Sequence, residues 1–177
     1  MKLQIGPGNV YIPGWVNIDL FSSVRADCYA NALAIPYPEK TFDIVYASHV
    51  LEHMNRHTIL AALTHWKFLL KDGGTLRLSV PDFKAICEYY TLSGDVQKVL
   101  GLLYGGQRIS LDTHKIAFDQ IFLTKCLKTV GFERDNISLW DWQCTEHAML
   151  DDYSQAYIPH MDKENGRLMS LNMEAIK

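Results

Sequence analysis

Two short apolar runs near the start of the chain end in residues that a bound nucleoside can use. The run Leu3–Ile5 leads into Gly6-Pro7-Gly8, and the run Trp15–Asp19 ends in an acid. Glycines permit positive φ and a close approach of ligand to backbone. An acid at the end of the neighbouring strand can accept hydrogen bonds from both hydroxyls of a ribose. The pair suggests a nucleoside-containing cofactor at the edge of a parallel sheet, although a tight turn between two strands would also explain the glycines.

The rest of the chain alternates strand-like and helix-like segments. Further strands are predicted at Ala26–Ala30, Phe42–Ala47, Thr75–Val80, Ile137–Trp142 and Arg167–Ile176. Helices are predicted from Thr58 to a glycine cap at 71–74, from Asp82 to Tyr90, and along a stripe of Ile121, Phe122, Cys126 and Val130. This order predicts an α/β sheet with right-handed crossovers, whose last two strands form an antiparallel pair.

Composition limits the class of protein. The 177 residues are 48% hydrophobic and carry a net charge of −3, which fits one compact domain spanning 1–177. The chain contains no run of Lys and Arg, so a nucleic-acid partner is not expected. No apolar run is long enough to span a bilayer. The four cysteines lie far apart, without a Cys-x-x-Cys pair or a secretion signature, so we expect a cytoplasmic protein with reduced thiols.

In combination these segments resemble the class I S-adenosylmethionine (SAM)-dependent methyltransferases, and the chain looks closest to the small bacterial type 11-like members. The matching stretches are 3–8, 16–20, 42–53, 69–76 and 130–132. The resemblance implies SAM as cofactor. It also implies a Rossmann-like sheet of seven mostly parallel strands in the order 3-2-1-4-5-7-6, with strand 7 antiparallel.

The resemblance also implies roles for individual residues. Gly6 and Gly8 would lie against the methionine part of SAM, Asp19 would bind the ribose hydroxyls, and Leu20 would pack on the adenine. Asn31 stands where many relatives have an Asp that contacts the adenine amino group, and its amide can also bond there. The expected cofactor contacts are completed by Ala32 and Ser48.

The first crossover departs from this pattern because it is short. Only residues 6–14 separate the first two strands, and Gly8, Pro13 and Gly14 disfavour a helix. A parallel crossover normally needs about a dozen residues. We therefore expect the first crossover helix to be shortened or absent. The uncovered sheet face would then be buried by 143–165, as a lid or covering segment, or by a second subunit in a homodimer.

The segment Ser48–His53 is open to three interpretations. It can be a helix start capped by Ser48. It can supply a general base, His49 or His53, for an alcohol nucleophile. It can also bind a divalent ion through two imidazoles and Glu52, with His114 as a fourth ligand; this resembles the Glu-x-x-Glu-His arrangement of some metal-dependent methyltransferases, except that His49 replaces the first Glu. We take His49, His53 and His114 as the catalytic candidates and assign no metal ligand.

The C-terminal part is rich in aromatic and histidine residues, which either pack in the core or form a lid that stacks on an acceptor. They are Trp140, Trp142, His147, Tyr153, Tyr157 and His160. We expect a methyltransferase that acts on a small polar acceptor, a hydroxyl of a carbohydrate or other metabolite. Two alternatives stay open: a non-catalytic SAM-binding regulatory or interaction protein, and a nicotinamide-dependent reductase.

Overall fold

A central sheet of seven strands organises the computed structural model, which describes residues 1–177. Its strands are β1 (Lys2–Ile5), β2 (Val16–Asp19), β3 (Cys28–Tyr29), β4 (Phe42–Ser48), β5 (Leu70–Pro81), β6 (Ile137–Leu139) and β9 (Ser170–Ile176). A separate two-stranded ribbon pairs β7 (Tyr157–Ile158) with β8 (Arg167–Leu168). The spatial order is β3-β2-β1-β4-β5-β9-β6. β9 is the seventh strand of this sheet in chain order and runs antiparallel to both neighbours, whereas all other pairs are parallel. The predicted order and orientation are confirmed.

Four α-helices accompany the sheet: α1 (Ile59–Leu69), α2 (Phe83–Ser93), α3 (Leu100–Tyr104) and α4 (Gln120–Thr129). Short 3-10 turns lie at Leu51–His53, Val96–Val99, Arg134–Asn136 and Trp142–Cys144. Asp82 caps α2 by accepting from the Lys84 N–H, as its position at a strand end predicts. None of these helices has both the length and the apolar character needed to cross a membrane.

Three local predictions were wrong. α1 ends at Leu69, and the next residue, Leu70, is already extended, so no glycine caps the helix. The reason is that β5 begins at Leu70, which pairs with Phe42 of β4. Ile121 is 81% exposed, since the buried stripe of α4 consists of Leu123, Cys126 and Leu127. The strand predicted over 137–142 stops at Leu139, where the chain turns so that Trp140 and Trp142 pack on the sheet.

One face of the sheet is a conventional apolar core. Leu3 and Ile5 of β1, and Val45 and Ala47 of β4, belong to a cluster of 26 buried residues. α1 and α4 contact each other and pack on this face. Alternate residues of a strand point to opposite faces, so Gln4 and Tyr46 lie on the other side.

No helix forms in the first crossover, which confirms the prediction from its length and its helix breakers. Its chain lies on the second face of the sheet, where buried amide side chains satisfy its backbone. The Gln4 side chain donates to Val10 O (3.0 Å) and accepts from Ile12 N–H (3.2 Å). Asn17, fully buried, accepts from Ile12 N–H (3.0 Å) and donates to Ile12 O (3.1 Å) and Trp15 O (2.9 Å). These bonds replace the internal hydrogen bonds that a helix would have made.

An aromatic cluster covers the middle of this second face. Its buried members are Ile12, Trp15, Tyr46, Trp140 and Trp142. The His147 ring packs against Tyr46, with centroids 4.7 Å apart, and Leu150 lies against the cluster. The Trp140 indole donates to Leu78 O of β5 (2.9 Å). Part of the segment 143–165 therefore lies on the sheet face that lacks a crossover helix.

A buried polar network fastens that segment to β4. The Asp152 carboxylate accepts from the Tyr46 hydroxyl (2.6 Å) and the Ser154 hydroxyl (2.6 Å), and it lies 3.2 Å from His147 Nδ1. Burial raises the pKa of Asp152, but the close approach of His147 and the hydrogen bonds with Ser154 and Tyr46 outweigh burial and leave the pKa below its usual range. Burial raises the pKa of Tyr46, which stays a phenol and a donor.

The substitution Asn17→Ala tests whether the amide stabilises the crossover. It removes the partners of buried backbone groups at Ile12 and Trp15, so we expect the free energy of unfolding to fall by about 3 kcal/mol. Asn165→Ala is the control, because Asn165 is exposed. Urea unfolding of both variants measures the difference; an equal, small effect would contradict the role of Asn17.

The substitution Asp152→Asn tests the buried network through pH. Because the folded-state pKa of Asp152 is lowered, its contribution to stability is complete above the unfolded pKa of about 4 and is lost as pH falls through the folded value. Urea unfolding near pH 7 and near pH 3 should show Asp152→Asn less stable by about 2 kcal/mol near neutrality and less sensitive to acid. The neighbouring Asp151→Asn, at an exposed position, should retain the wild-type pH dependence.

Candidate active site

The predicted cofactor residues meet at the carboxyl ends of the parallel strands. Gly6 follows β1 with φ +66°, and an added Cβ would lie 2.6 Å from Val50 Cγ2. Gly8 has φ +52°, and an added Cβ there would meet no atom within 4 Å. Gly6 is therefore required both by its backbone conformation and by the close approach of Val50. Gly8 faces open space, which leaves room for a ligand against the backbone.

Asp19 ends β2 beside this glycine turn. One carboxylate oxygen accepts from the Gly8 N–H (3.2 Å) and the other from the Phe21 N–H (2.9 Å). Asp19 is 6% exposed. Each oxygen of a carboxylate has a second lone pair, so these bonds orient the side chain without exhausting its capacity to accept hydrogen bonds from hydroxyls.

The residues expected around an adenine lie along the same edge. Leu20 is 51% exposed, an apolar side chain without cover at the end of β2. Asn31 is exposed beyond β3, and its Oδ1 accepts from the Leu33 N–H (2.9 Å), which leaves its amide donors free. The Ala32 carbonyl accepts from the Trp66 indole (2.8 Å), which ties this loop to α1.

The residues after β4 form the other half of the edge. Ser48 donates to the Asp152 carbonyl, so it anchors the covering segment rather than capping a helix. His49 has φ +52°, and its N–H bonds Ser79 O of β5 (2.9 Å). Its Nε2 lies 2.9 Å from Ser170 Oγ of β9, and its ring centroid lies 5.7 Å from that of Tyr153.

The three candidate histidines surround one buried carboxylate. Glu52, with no exposed surface, places Oε1 3.1 Å from His49 Nδ1 and 3.9 Å from His114 Nε2. The His53 and His114 rings contact edge to face, with centroids 4.8 Å apart. The loop that carries His114 is tied to the 3-10 turn because the Lys115 N–H donates to Glu52 O (2.8 Å).

Electrostatics keep this cluster in a defined state. Burial by itself raises the pKa of Glu52, but attraction to His49, whose Nδ1 lies 3.1 Å away, and attraction to His53 outweigh burial and lower it. Burial lowers the pKa of His114, with the Glu52 charge opposing that shift. Glu52 is therefore a carboxylate at neutral pH, and His114 favours the neutral imidazole.

The structure separates the predicted residues into two neighbouring groups. The glycine turn, Asp19 and Leu20 lie at the ends of β1 and β2, while His49, Glu52, His53 and His114 follow β4 or converge on it. The positions of Ser170 and Tyr153 beside His49 were not anticipated, because the sequence places them over 100 residues away. The only sequence signal for them was the general expectation of an aromatic lid.

The residues present fit the implied cofactor. At Gly6 and Gly8 the backbone has positive φ, and a Cβ at Gly6 would clash with Val50. The Asp19 carboxylate is oriented by two N–H groups and keeps lone pairs that can accept from hydroxyls. Leu20 supplies an exposed apolar surface. A cavity of about 470 Å³ lies elsewhere, at the opposite end of the strands, against Lys2, Trp15 and Glu146. It shares no residue with this site.

Comparison with protein families agrees with the geometry. Residues 12–137 match the family profile described as a methyltransferase domain. The match extends over more than half of the chain, so the chain belongs to this methyltransferase family. It is an enzyme of the SAM-dependent class, with S-adenosylmethionine as cofactor. A search with the sequence against curated proteins gave no significant match.

Solved structures share the fold at low sequence identity. A SAM-dependent methyltransferase from Thermotoga maritima, described as a possible histamine N-methyltransferase, is 14% identical over 99% of this chain and 81% of its own, with a TM-score of 0.63. A SAM-dependent methyltransferase from Mesorhizobium loti is 15% identical over 99% of this chain and 90% of its own, with a TM-score of 0.60. The 1,6-didemethyltoxoflavin-N1-methyltransferase of Burkholderia thailandensis, solved with bound 1,6-didemethyltoxoflavin and S-adenosylhomocysteine, is 14% identical over 99% of this chain and 70% of its own, with a TM-score of 0.56.

The contact of Gly6 with Val50 can be separated from backbone strain. Gly6→Ala adds both a clash and positive-φ strain, whereas Gly8→Ala adds the strain alone. We expect Gly6→Ala to be the less stable of the two by about 1–3 kcal/mol in thermal or urea unfolding. The double variant Gly6→Ala/Val50→Ala should fall short of the sum of the single losses, because the clash is then absent. Strict additivity would contradict the contact.

Proposed function

We propose that this protein transfers a methyl group to a hydroxyl of a small polar metabolite, a carbohydrate among the candidates. The observation that carries the proposal is the position of His49 between the buried carboxylate of Glu52 and the exposed ring of Tyr153, at the same sheet edge as the glycine turn. An alcohol needs its proton removed during transfer, and an imidazole at this edge is suited to that task.

When bound, SAM supplies an electrophilic methyl group on a sulfonium. The work of this chain is to hold and align the reactants and to exclude water. Asp19 would accept the two ribose hydroxyls, because its orientation is fixed by the Gly8 and Phe21 N–H groups. Gly6 and Gly8 would admit the methionine part, and Leu20 would cover the adenine.

On the acceptor side, the Glu52 carboxylate would favour the proton on Nδ1 of His49 and leave the lone pair on Nε2. In this structure Ser170 Oγ, 2.9 Å from Nε2, donates its proton to Tyr153 O and can only accept from that nitrogen. An acceptor hydroxyl that displaced this contact would donate to the freed Nε2, which would take its proton as the methyl is transferred. Tyr153, 59% exposed, offers a flat surface on which a sugar or an aromatic ring can stack. These features favour a polar acceptor of small size.

The ribose anchor is tested by calorimetric titration with S-adenosylhomocysteine. We expect micromolar binding by the wild type and at least about tenfold weaker binding by Asp19→Ala, because a charge-assisted hydrogen bond is worth roughly 1.5–3 kcal/mol. Asp135→Ala is the control, since Asp135 is in the 3-10 turn before β6 and far along the chain from the site. Circular dichroism checks that each variant is folded.

Failure of a folded wild-type protein to bind S-adenosylhomocysteine would contradict the assigned cofactor site. Equal binding by Asp19→Ala and wild type would remove the ribose role of Asp19 alone. Binding without methyl transfer to any acceptor would favour a regulatory or interaction protein.

The acceptor is sought by incubating the protein with methyl-labelled SAM and matched panels of small alcohols, sugars and amines. We expect label in a hydroxyl compound. His49→Ala should then lower kcat by about 10²–10⁴-fold, because proton transfer is lost, with little change in S-adenosylhomocysteine affinity. The exposed His57→Ala should behave as wild type. Labelling of amines alone would overturn the oxygen acceptor.

A further inference from the structure

We infer that Glu52, His53 and His114 form a binding site for a divalent transition-metal ion. Each of the three offers one ligand atom, and these atoms lie within 4.8 Å of one another. They come from the 3-10 turn after β4 and from the loop that precedes α4. The inference goes beyond the proposed function, because the fold and the glycine turn call for no metal.

The first argument is the state of the Glu52 carboxylate. It has no exposed surface, and neither of its oxygens has a hydrogen-bond partner with good geometry. The His49 Nδ1 atom is close, at 3.1 Å, but is not aligned for a hydrogen bond. Buried carboxylates are normally paired, hydrogen-bonded or bound to a metal. A cation bound at Glu52 would compensate this charge.

The second argument is the orientation of the two imidazoles. His53 places Nδ1 3.1 Å from Leu111 O, and His114 places Nδ1 2.9 Å from Leu102 O. A carbonyl oxygen can only accept, so in both rings the proton is on Nδ1. In the neutral form of each ring, Nε2 then keeps its lone pair, which is the form in which histidine binds metals. A backbone carbonyl on the other nitrogen is the usual partner of a metal-bound histidine.

The ligand set selects the kind of ion. Two imidazole nitrogens and one carboxylate oxygen favour Zn²⁺, Co²⁺ or Fe²⁺ over Mg²⁺ and Ca²⁺, which prefer oxygen ligands. Ligands around a tetrahedral Zn²⁺ lie about 3.4 Å apart at the usual bond lengths. The candidate ligand atoms of Glu52, His53 and His114 lie up to 4.8 Å apart. Small rotations of their side chains would bring them to the tetrahedral spacing.

Three protein ligands leave at least one position for another oxygen. Since His49 borders Glu52, an oxygen at that position would lie close to the proposed acceptor site. This use of the ion depends on the proposed function, whereas the binding of the ion does not.

The test measures ion binding to the purified protein, stripped with chelator, without SAM or acceptor. Zn²⁺ is titrated against a chromogenic chelator, and Co²⁺ binding is followed by its ligand-field absorption. We expect one ion per chain, bound with a Kd below about 1 μM, and a Co²⁺ spectrum typical of four or five ligands. Glu52→Gln keeps the size of the side chain and should weaken Zn²⁺ binding by at least about 100-fold, as should His114→Ala and His53→Ala.

His57→Ala is the matched control and should retain wild-type affinity, because His57 is exposed and is not among the three ligands. Thermal unfolding in chelator identifies any variant that has lost its fold. A folded wild type that binds neither ion would overturn the site, as would folded Glu52→Gln, His53→Ala and His114→Ala proteins that bind Zn²⁺ like the wild type. Because SAM is absent, these outcomes are independent of S-adenosylhomocysteine binding and of methyl transfer.

Discussion

The rest of this structure depends on the nine-residue limit of the first crossover. Residues 6–14 are too few for a helix to cross from β1 to β2, so one sheet face is left without its usual layer. The chain solves this in two ways. The buried amides Gln4 and Asn17 bond the backbone of the crossover, and the aromatic cluster, with the segment around Asp152, covers the remainder.

This solution links the fold to the site. The covering segment is attached where β4 ends, because Ser48 and Tyr46 both donate to Asp152. The next residue, Tyr153, stands beside His49, and the Tyr153 carbonyl accepts from Ser170. The segment that buries the sheet face thereby also places Tyr153 beside His49, the proposed general base. A longer crossover with its own helix would cover that sheet face, and the segment around Asp152 would then not be required to bury it.

The sequence was informative where the signals are local. Apolar runs predict the strands, and the glycine turn with Asp19 predicts the edge where a cofactor would bind, because each of these signals acts within a few residues. The order of the strands was predicted from the family resemblance. The end of α1 was mispredicted because pairing of Leu70 with Phe42 outweighs the cap preference of the later glycines. The exposed Ile121 shows the same limit, since periodicity identifies a helix better than it identifies the buried face.

The arrangement around Glu52 was beyond sequence reasoning for a different reason. One interpretation of Ser48–His53 was a helix start, but a positive φ at His49 and a 3-10 turn over Leu51–His53 instead direct His49 toward Ser170. His114 approaches from the far side through a loop held by backbone bonds to Tyr104 and Glu52. A buried carboxylate approached by three imidazoles is a product of tertiary contacts, and its chemistry follows from two distances, 3.1 Å to His49 and 3.9 Å to His114. The first distance underlies the proposed role of His49 as general base, and the second underlies the proposed ion between the carboxylate and the imidazole.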